Sequence, residues 1–261
     1  MMDRDLNGAV ALVTGAGGGI GRAICAALSG AGAHVLAADR HWPADAAPVA
    51  GEKAILDVRD ADAWSTLMRD IRKRHGRLDV LVNNAGIPLV AAIAETTLDQ
   101  WRLCQSVNVE GPLLGIQAAL PLLRESGAAR PGGASIINIS SVGGLRGAPF
   151  NAAYCTSKAA VLMLTKSAAL EFCALGYPIR VNSVHPGAVG TAMIQDIIDR
   201  YVALGSMASV EQATQAVNAM HPIGRQARPE EIAAGVLFLA SPASSYMVGS
   251  ELVIDGGYTS R

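Results

Sequence analysis

The chain predicts a single α/β domain built on a doubly wound parallel sheet of seven strands, with helices on both faces. Three observations carry that expectation. Short apolar, branched runs alternate with longer helical patterns, so the order along the chain is strand then helix, repeated. The 261 residues, 51% of them hydrophobic, supply one large core, and no internal repeat or low-complexity tract divides them. The first apolar run leads straight into a glycine-rich turn, as the first strand of such a sheet commonly does.

Strands are expected at 9–13, 33–38, 53–56, 80–82, 135–139, 180–184 and 252–254, each a short apolar run of the kind buried on both sides of a parallel sheet. Helices are expected at 20–31, 61–75, 98–124, 152–175 and 229–239. The segment 41–48 carries Pro43 and Pro48 where a crossover helix would join the second and third strands, so loop is expected there. The segment 192–221 mixes Met193, Ile194, Ile197, Ile198, Tyr201, Met207 and Met220 with polar residues just beyond a strand end. A substrate lid is the expectation, with ordinary amphipathic helices as the alternative.

Composition narrows the partner. With 21 basic and 22 acidic side chains the formal charge is −1, which provides no broad attraction for nucleic acid or anionic lipid. A small molecule is expected instead. The local run Arg69, Arg72, Lys73, Arg74 and Arg77 reads as a solvated helix face. Cys25, Cys104, Cys155 and Cys173 are far apart, without a C-x-x-C pair or a histidine at metal-ligand spacing, so reduced thiols and no metal site are expected. The opening residues lack the apolar stretch of a secretory signal, and no apolar run approaches the ~18 residues of a membrane span. A cytoplasmic protein is the expectation.

Chemistry concentrates in two places. Tyr154 and Lys158 stand four residues apart on an expected helix and so share one face, a turn apart. An ammonium beside a phenol favours the phenolate and would lower the tyrosine pKa from about 10 towards neutrality, giving a proton-transfer group. The second place is Thr14-Gly15-Ala16-Gly17-Gly18-Gly19-Ile20-Gly21, after a strand and at a helix start. Gly15, Gly19 and Gly21 allow a tight turn and close approach of a pyrophosphate to free amides and the helix dipole. Asp39 ends the second strand, where a carboxylate accepts from adenosine ribose hydroxyls and repels a 2′-phosphate. NAD is therefore expected over NADP, with neighbouring Arg40 as the feature that points the other way.

Together with Asn83-Asn84-Ala85-Gly86, Val107-Asn108-Val109, Ser140-Ser141 and Pro186-Gly187 followed by Thr191, these motifs resemble the short-chain dehydrogenase/reductase family over nearly the whole chain. The resemblance implies a Rossmann fold and a catalytic set of Asn108, Ser141, Tyr154 and Lys158. Tyr154 would be the general acid/base, Ser141 would orient the substrate oxygen, and Lys158 would act on both Tyr154 and the nicotinamide ribose. Asn108 would interrupt a long helix and hold a water leading to solvent. For the cofactor, the resemblance implies Gly15, Gly19, Ile20 and Gly21 at the pyrophosphate turn, and Asp57 and Val58 at the adenine. It places Asn84 and Gly86 by the ribose, Pro186 and Gly187 at the nicotinamide turn, and Val189 and Thr191 at the carboxamide. His185 reads as structural.

The stretch 176–186 is similar to bacterial hydroxysteroid and alicyclic alcohol dehydrogenases of this family. An NAD-dependent oxidoreductase for an apolar, cyclic or steroid-like secondary alcohol and its ketone is expected. The alternative is an NADPH-dependent 3-oxoacyl thioester reductase. Relatives pair through the helices after the fourth and fifth strands, so a homotetramer is also implied, with Ala159, Ala160, Ala168 and Ala169 permitting close approach.

Overall fold

Every residue of β1 (Val10–Thr14) is buried, and successive side chains enter opposite layers: Val10 and Leu12 join one hydrophobic cluster, Ala11 and Val13 the other. A strand covered on both faces needs no polar alternation, only the two-residue period that sorts its side chains. The computed structural model describes residues 5–42 and 48–260. Around β1 lie β2 (His34–Asp39), β3 (Glu52–Ile55), β4 (Val80–Asn83), β5 (Ala134–Ile139), β6 (Ile179–Pro186) and β7 (Glu251–Ile254). They form one seven-stranded sheet in the order β3-β2-β1-β4-β5-β6-β7, parallel throughout.

One face is covered by α1 (Gly19–Gly30) and α8 (Pro229–Ala240), which pack on each other; α2 (Ala61–His75), α4 (Gly111–Ala128) and α5 (Ala152–Ala174) cover the opposite face. The chain winds outwards in both directions from β1 and β4, so the loops after these strands diverge and leave a crevice at their carboxyl ends.

Local signals place the helix ends. The Asp60 carboxylate accepts from the amides of Asp62 and Ala63 at the start of α2, and Gly76 (φ 69°) closes it in the left-handed region. Three members of the basic run are ion-paired: Arg72 to Glu125, Arg74 to Glu52, and Arg77 to Asp79. The helix expected at 98–124 is broken. A capping box of Thr97 and Gln100 starts α3 (Leu98–Gln105), a π-helical turn occupies Ser106–Glu110, and α4 follows. Such an inserted residue widens the turn and re-aims side chains, and Asn108 sits at its centre.

Two further expectations are refined. The segment 192–221 folds as α6 (Ala192–Ala203) and α7 (Val210–Ala219), and Ile198 and Met207 pack into a small core between them with Ala213 and Val217. Ala168 and Ala169 of α5 are buried in the chain's own core, while Met163 and Leu170 stand 60% and 69% exposed on its outer side. Residues 43–47 of the expected loop 41–48 lie outside the described residues. Among the described residues no helix is long and apolar enough to cross a membrane.

Candidate active site

The glycine turn is shaped by lack of space. Gly15 has φ 62°, and a Cβ there would fall 2.7 Å from the Ala85 Cα. At Gly21 it would meet the Gly15 carbonyl oxygen at 2.2 Å, and at Gly19 the Thr191 Cγ2 at 2.6 Å. Asn84 locks the turn from the β4 side, its Nδ2 donating to the carbonyls of Thr14 (2.9 Å) and Gly15 (3.0 Å). The N-cap of α1 is Gly18, which offers no side-chain oxygen, and the first turn holds no acidic residue. Its amides and dipole are therefore suited to an anion such as a pyrophosphate. Asp39, at the end of β2, accepts from the Gly17 amide at 2.9 Å, which brings its carboxylate against the same turn.

Ser141, Tyr154 and Lys158 come together deeper in the crevice. The Ser141 hydroxyl accepts from the Gly143 amide at 3.0 Å and lies near enough to the Tyr154 phenol to lower its pKa. The adjacent Ser140 instead donates to the Lys158 backbone carbonyl at 2.8 Å, so it ties β5 to α5. Lys158 is 4% exposed, donates from Nζ to the Ile139 carbonyl at 2.9 Å, and stands 5.7 Å from the centre of the Tyr154 ring.

The expected acidic phenol is corrected by this arrangement. Burial pushes the Tyr154 pKa up to about 12, partly countered by the Ser141 hydrogen bond. Burial likewise draws Lys158 down to about 8. Desolvation favours the neutral phenol, while the Lys158 ammonium is directed at the Ile139 carbonyl and is itself removed from water.

Asn108 lies behind the cleft wall, 1% exposed. Its Oδ1 accepts from the Ile87 amide (2.8 Å), and its Nδ2 donates to the Ile87 carbonyl (3.0 Å) and the Ser157 hydroxyl (3.0 Å). Both amide protons are thus engaged by protein, and the side chain clasps the loop after β4 to α5. A Cβ on Gly86 would sit 3.3 Å from both Asn108 Oδ1 and Lys158 Nζ, so that glycine keeps the space between them open.

A single cleft of about 490 Å³ connects these groups. Every residue assigned above to the cofactor lines it, from Gly15, Gly19, Ile20 and Gly21 through Asp39, Asp57, Val58, Asn84 and Gly86 to Pro186, Gly187, Val189 and Thr191. Asp57 is held well below the usual carboxylate range, at about 2, by its hydrogen bond from Arg59. His185 is structural as expected: its Nδ1 donates to the Ser141 carbonyl at 3.1 Å, and its Nε2 lies 2.8 Å from the Ser183 hydroxyl.

The lining also includes residues that the motifs did not indicate, His221, Val217 and Tyr258. His221 is 4% exposed; its Nε2 accepts from the Ala188 amide at 3.0 Å, its Nδ1 donates to the Val217 carbonyl at 2.7 Å, and its ring lies 5.3 Å from that of Tyr258. It couples the end of α7 to the Pro186-Gly187 turn. The one signal for it was a lone histidine at the end of the segment 192–221.

Comparison with known proteins agrees with this geometry. A family profile described as enoyl-(acyl carrier protein) reductase matches residues 15–259. Cyclopentanol dehydrogenase of Comamonas sp. (strain NCIMB 9872) is 38% identical over 98% of this chain and 99% of its own. The NADP-dependent (R)-specific alcohol dehydrogenase of Lentilactobacillus kefiri is 36% identical over 100% of both chains. The ligand-free structure of Thermoplasma acidophilum aldohexose dehydrogenase superposes with a TM-score of 0.88 at 33% identity, covering 100% of this chain and 96% of that one. With a family profile spanning nearly its whole length and alicyclic alcohol dehydrogenases among its relatives, the chain belongs to the short-chain dehydrogenase/reductase family of oxidoreductases.

Proposed function

We propose that the chain is an NAD-dependent oxidoreductase interconverting an apolar, cyclic or steroid-like secondary alcohol and its ketone, with Tyr154 moving the proton. One observation carries the reading: Ser141, Tyr154 and Lys158 line one cleft together with the apolar side chains of Val142, Ala148, Met193, Ile194, Ile197 and Met220. Those side chains favour buried hydrocarbon, and no arginine or lysine among them would compensate a carboxylate or phosphate.

Ser141 and Tyr154 would hold the substrate oxygen between them, and the bound nicotinamide would exchange the hydride. A phenol with a pKa near 12 is protonated at neutral pH and ready to donate to a ketone. Alcohol oxidation needs the phenolate, so that direction accelerates as pH rises. Lys158 keeps donors free beyond its Ile139 bond, available to ribose hydroxyls. Asn108 positions Ile87 and Ser157, and through them the loop and helix flanking Lys158. Helices α6 and α7 serve as the substrate lid.

NAD is favoured by the Asp39 carboxylate at the glycine turn, whereas the Arg59 guanidinium is engaged by Asp57 and leaves Arg40 as the competing cation. The 3-oxoacyl-(acyl-carrier-protein) reductase of Thermotoga maritima, 35% identical over 97% of this chain and 98% of its own, keeps an NADPH-dependent 3-oxoacyl thioester reductase as the second reading. Met163 and Leu170, exposed on α5, support a homotetramer, and light scattering that reports a monomer would end that part.

The experiment is a nicotinamide-absorbance screen of alicyclic and steroidal alcohols against an acyl thioester, each with both cofactors. Turnover of a cyclic alcohol with NAD is expected, falling by roughly 10²–10⁴-fold in Tyr154→Phe. An unimpaired Tyr154→Phe enzyme, or a strong NADPH preference with the thioester, overturns the proposal.

A further inference from the structure

At the strand ends opposite the cleft, three residues far apart in the chain meet. His34 opens β2, Glu52 opens β3, and His75 closes α2. The register sets Glu52 beside Leu36, two residues on from His34, so both side chains leave the same face of the sheet. His34 Nε2 lies 3.5 Å and His75 Nε2 3.8 Å from the same oxygen, Glu52 Oε2, and one donor atom from each residue falls within 4.8 Å of the others. The two imidazole rings are 4.4 Å apart, centre to centre.

Two details distinguish this cluster from a casual surface contact. His75 Nε2 is buried without a hydrogen-bond partner. Such an orphaned nitrogen lacks the compensation that buried polar atoms ordinarily have. Arg74 holds the other carboxylate oxygen, Oε1, which orients Oε2 towards the imidazoles. A tetrahedral ion with bonds of roughly 2.0–2.2 Å needs donors about 3.3 Å apart, so the three have only to draw together slightly. Two imidazoles and one carboxylate suit zinc, cobalt or nickel, whereas magnesium and calcium prefer all-oxygen sets.

We propose that His34, Glu52 and His75 bind one divalent transition-metal ion through two Nε2 atoms and one carboxylate oxygen, with water completing the tetrahedron. The ion staples the starts of β2 and β3 to the end of α2. It takes no part in chemistry at the cleft.

The test uses the full chain, stripped with a chelator and titrated calorimetrically with zinc chloride. Cobalt(II) absorption serves as an independent report of nitrogen ligation. One equivalent is expected to bind, and at a hundredfold excess over Kd the Tm should rise by about 5 °C, with magnesium giving no shift. His34→Gln and His75→Gln should each weaken binding at least tenfold while leaving the folded far-ultraviolet spectrum intact. His34, half-exposed, keeps the test decisive if the His75 variant proves unstable. Absence of saturable zinc uptake at hundred-micromolar metal, or stoichiometric uptake retained by either folded histidine variant, would overturn the site.

Discussion

Replacing Lys158 by methionine should stabilise the cofactor-free protein while abolishing its turnover. The ammonium is 4% exposed, and burial draws its pKa from 10.5 to about 8. At about 1.4 kcal/mol per unit, keeping it charged at neutral pH costs roughly 3 kcal/mol. Methionine fills similar space without charge, but leaves the Ile139 carbonyl without its 2.9 Å donor, a loss of about 1–2 kcal/mol. The variant should therefore be about 1–2 kcal/mol more stable at pH 7. The pH dependence supplies the sharper criterion. Because the folded pKa lies below the unfolded one, the unfolded chain binds more protons between about pH 8 and pH 10.5, and wild-type stability rises with pH across that window. The variant lacks that contribution, so its advantage should shrink and then reverse as pH climbs. Tyr154, raised to about 12, is common to both proteins and loses its extra stability only above the unfolded phenol pKa. Guanidinium unfolding of both proteins at neutral and at alkaline pH measures the difference. A variant less stable than wild type at pH 7, or a stability difference that does not move with pH, refutes the desolvation reasoning.

Gly21→Ala should destabilise the fold by about 1–3 kcal/mol and sharply weaken dinucleotide binding, because the new Cβ would lie 2.2 Å from the Gly15 carbonyl oxygen and 2.8 Å from the Ala16 Cα. Gly18→Ala is the control for stability, as its nearest neighbour would be 3.5 Å away, and equal denaturation midpoints for the two variants would contradict the steric account. His221→Phe preserves the ring beside Tyr258 but removes the acceptor for the Ala188 amide, so about 1–3 kcal/mol of stability should be lost and the KM for cofactor should rise. A wild-type unfolding curve and an unchanged KM would show that this contact does not hold the turn.

Much of the architecture was legible because it is encoded locally. Apolar runs placed all seven strands to within a residue or two at most ends, although only the inner strands are buried on both faces as expected; the edge strands β3 and β7 contain no buried residue. The glycine turn and the Tyr154–Lys158 pair were equally readable, one from residues that tolerate crowding and the other from the helical repeat. The break at Ser106–Glu110 was not readable from periodicity, because a π turn inserts a residue without disturbing the apolar pattern around it. Nor was the role of His221, whose partners come from α7 and from the turn after β6.

Spacing along the chain thus determined the parallel sheet, the anion-binding turn, and which phenol and amine share a helix face. Tertiary structure alone decided how far Tyr154 and Lys158 are removed from water, and hence that the phenol is a weaker acid than its neighbour implied. It also decided that Asn108 is a clasp and that His34, Glu52 and His75 converge. The physical reason is that periodicity and covalent spacing act over a few residues. Desolvation and ligand geometry, by contrast, depend on which distant segments pack against each other.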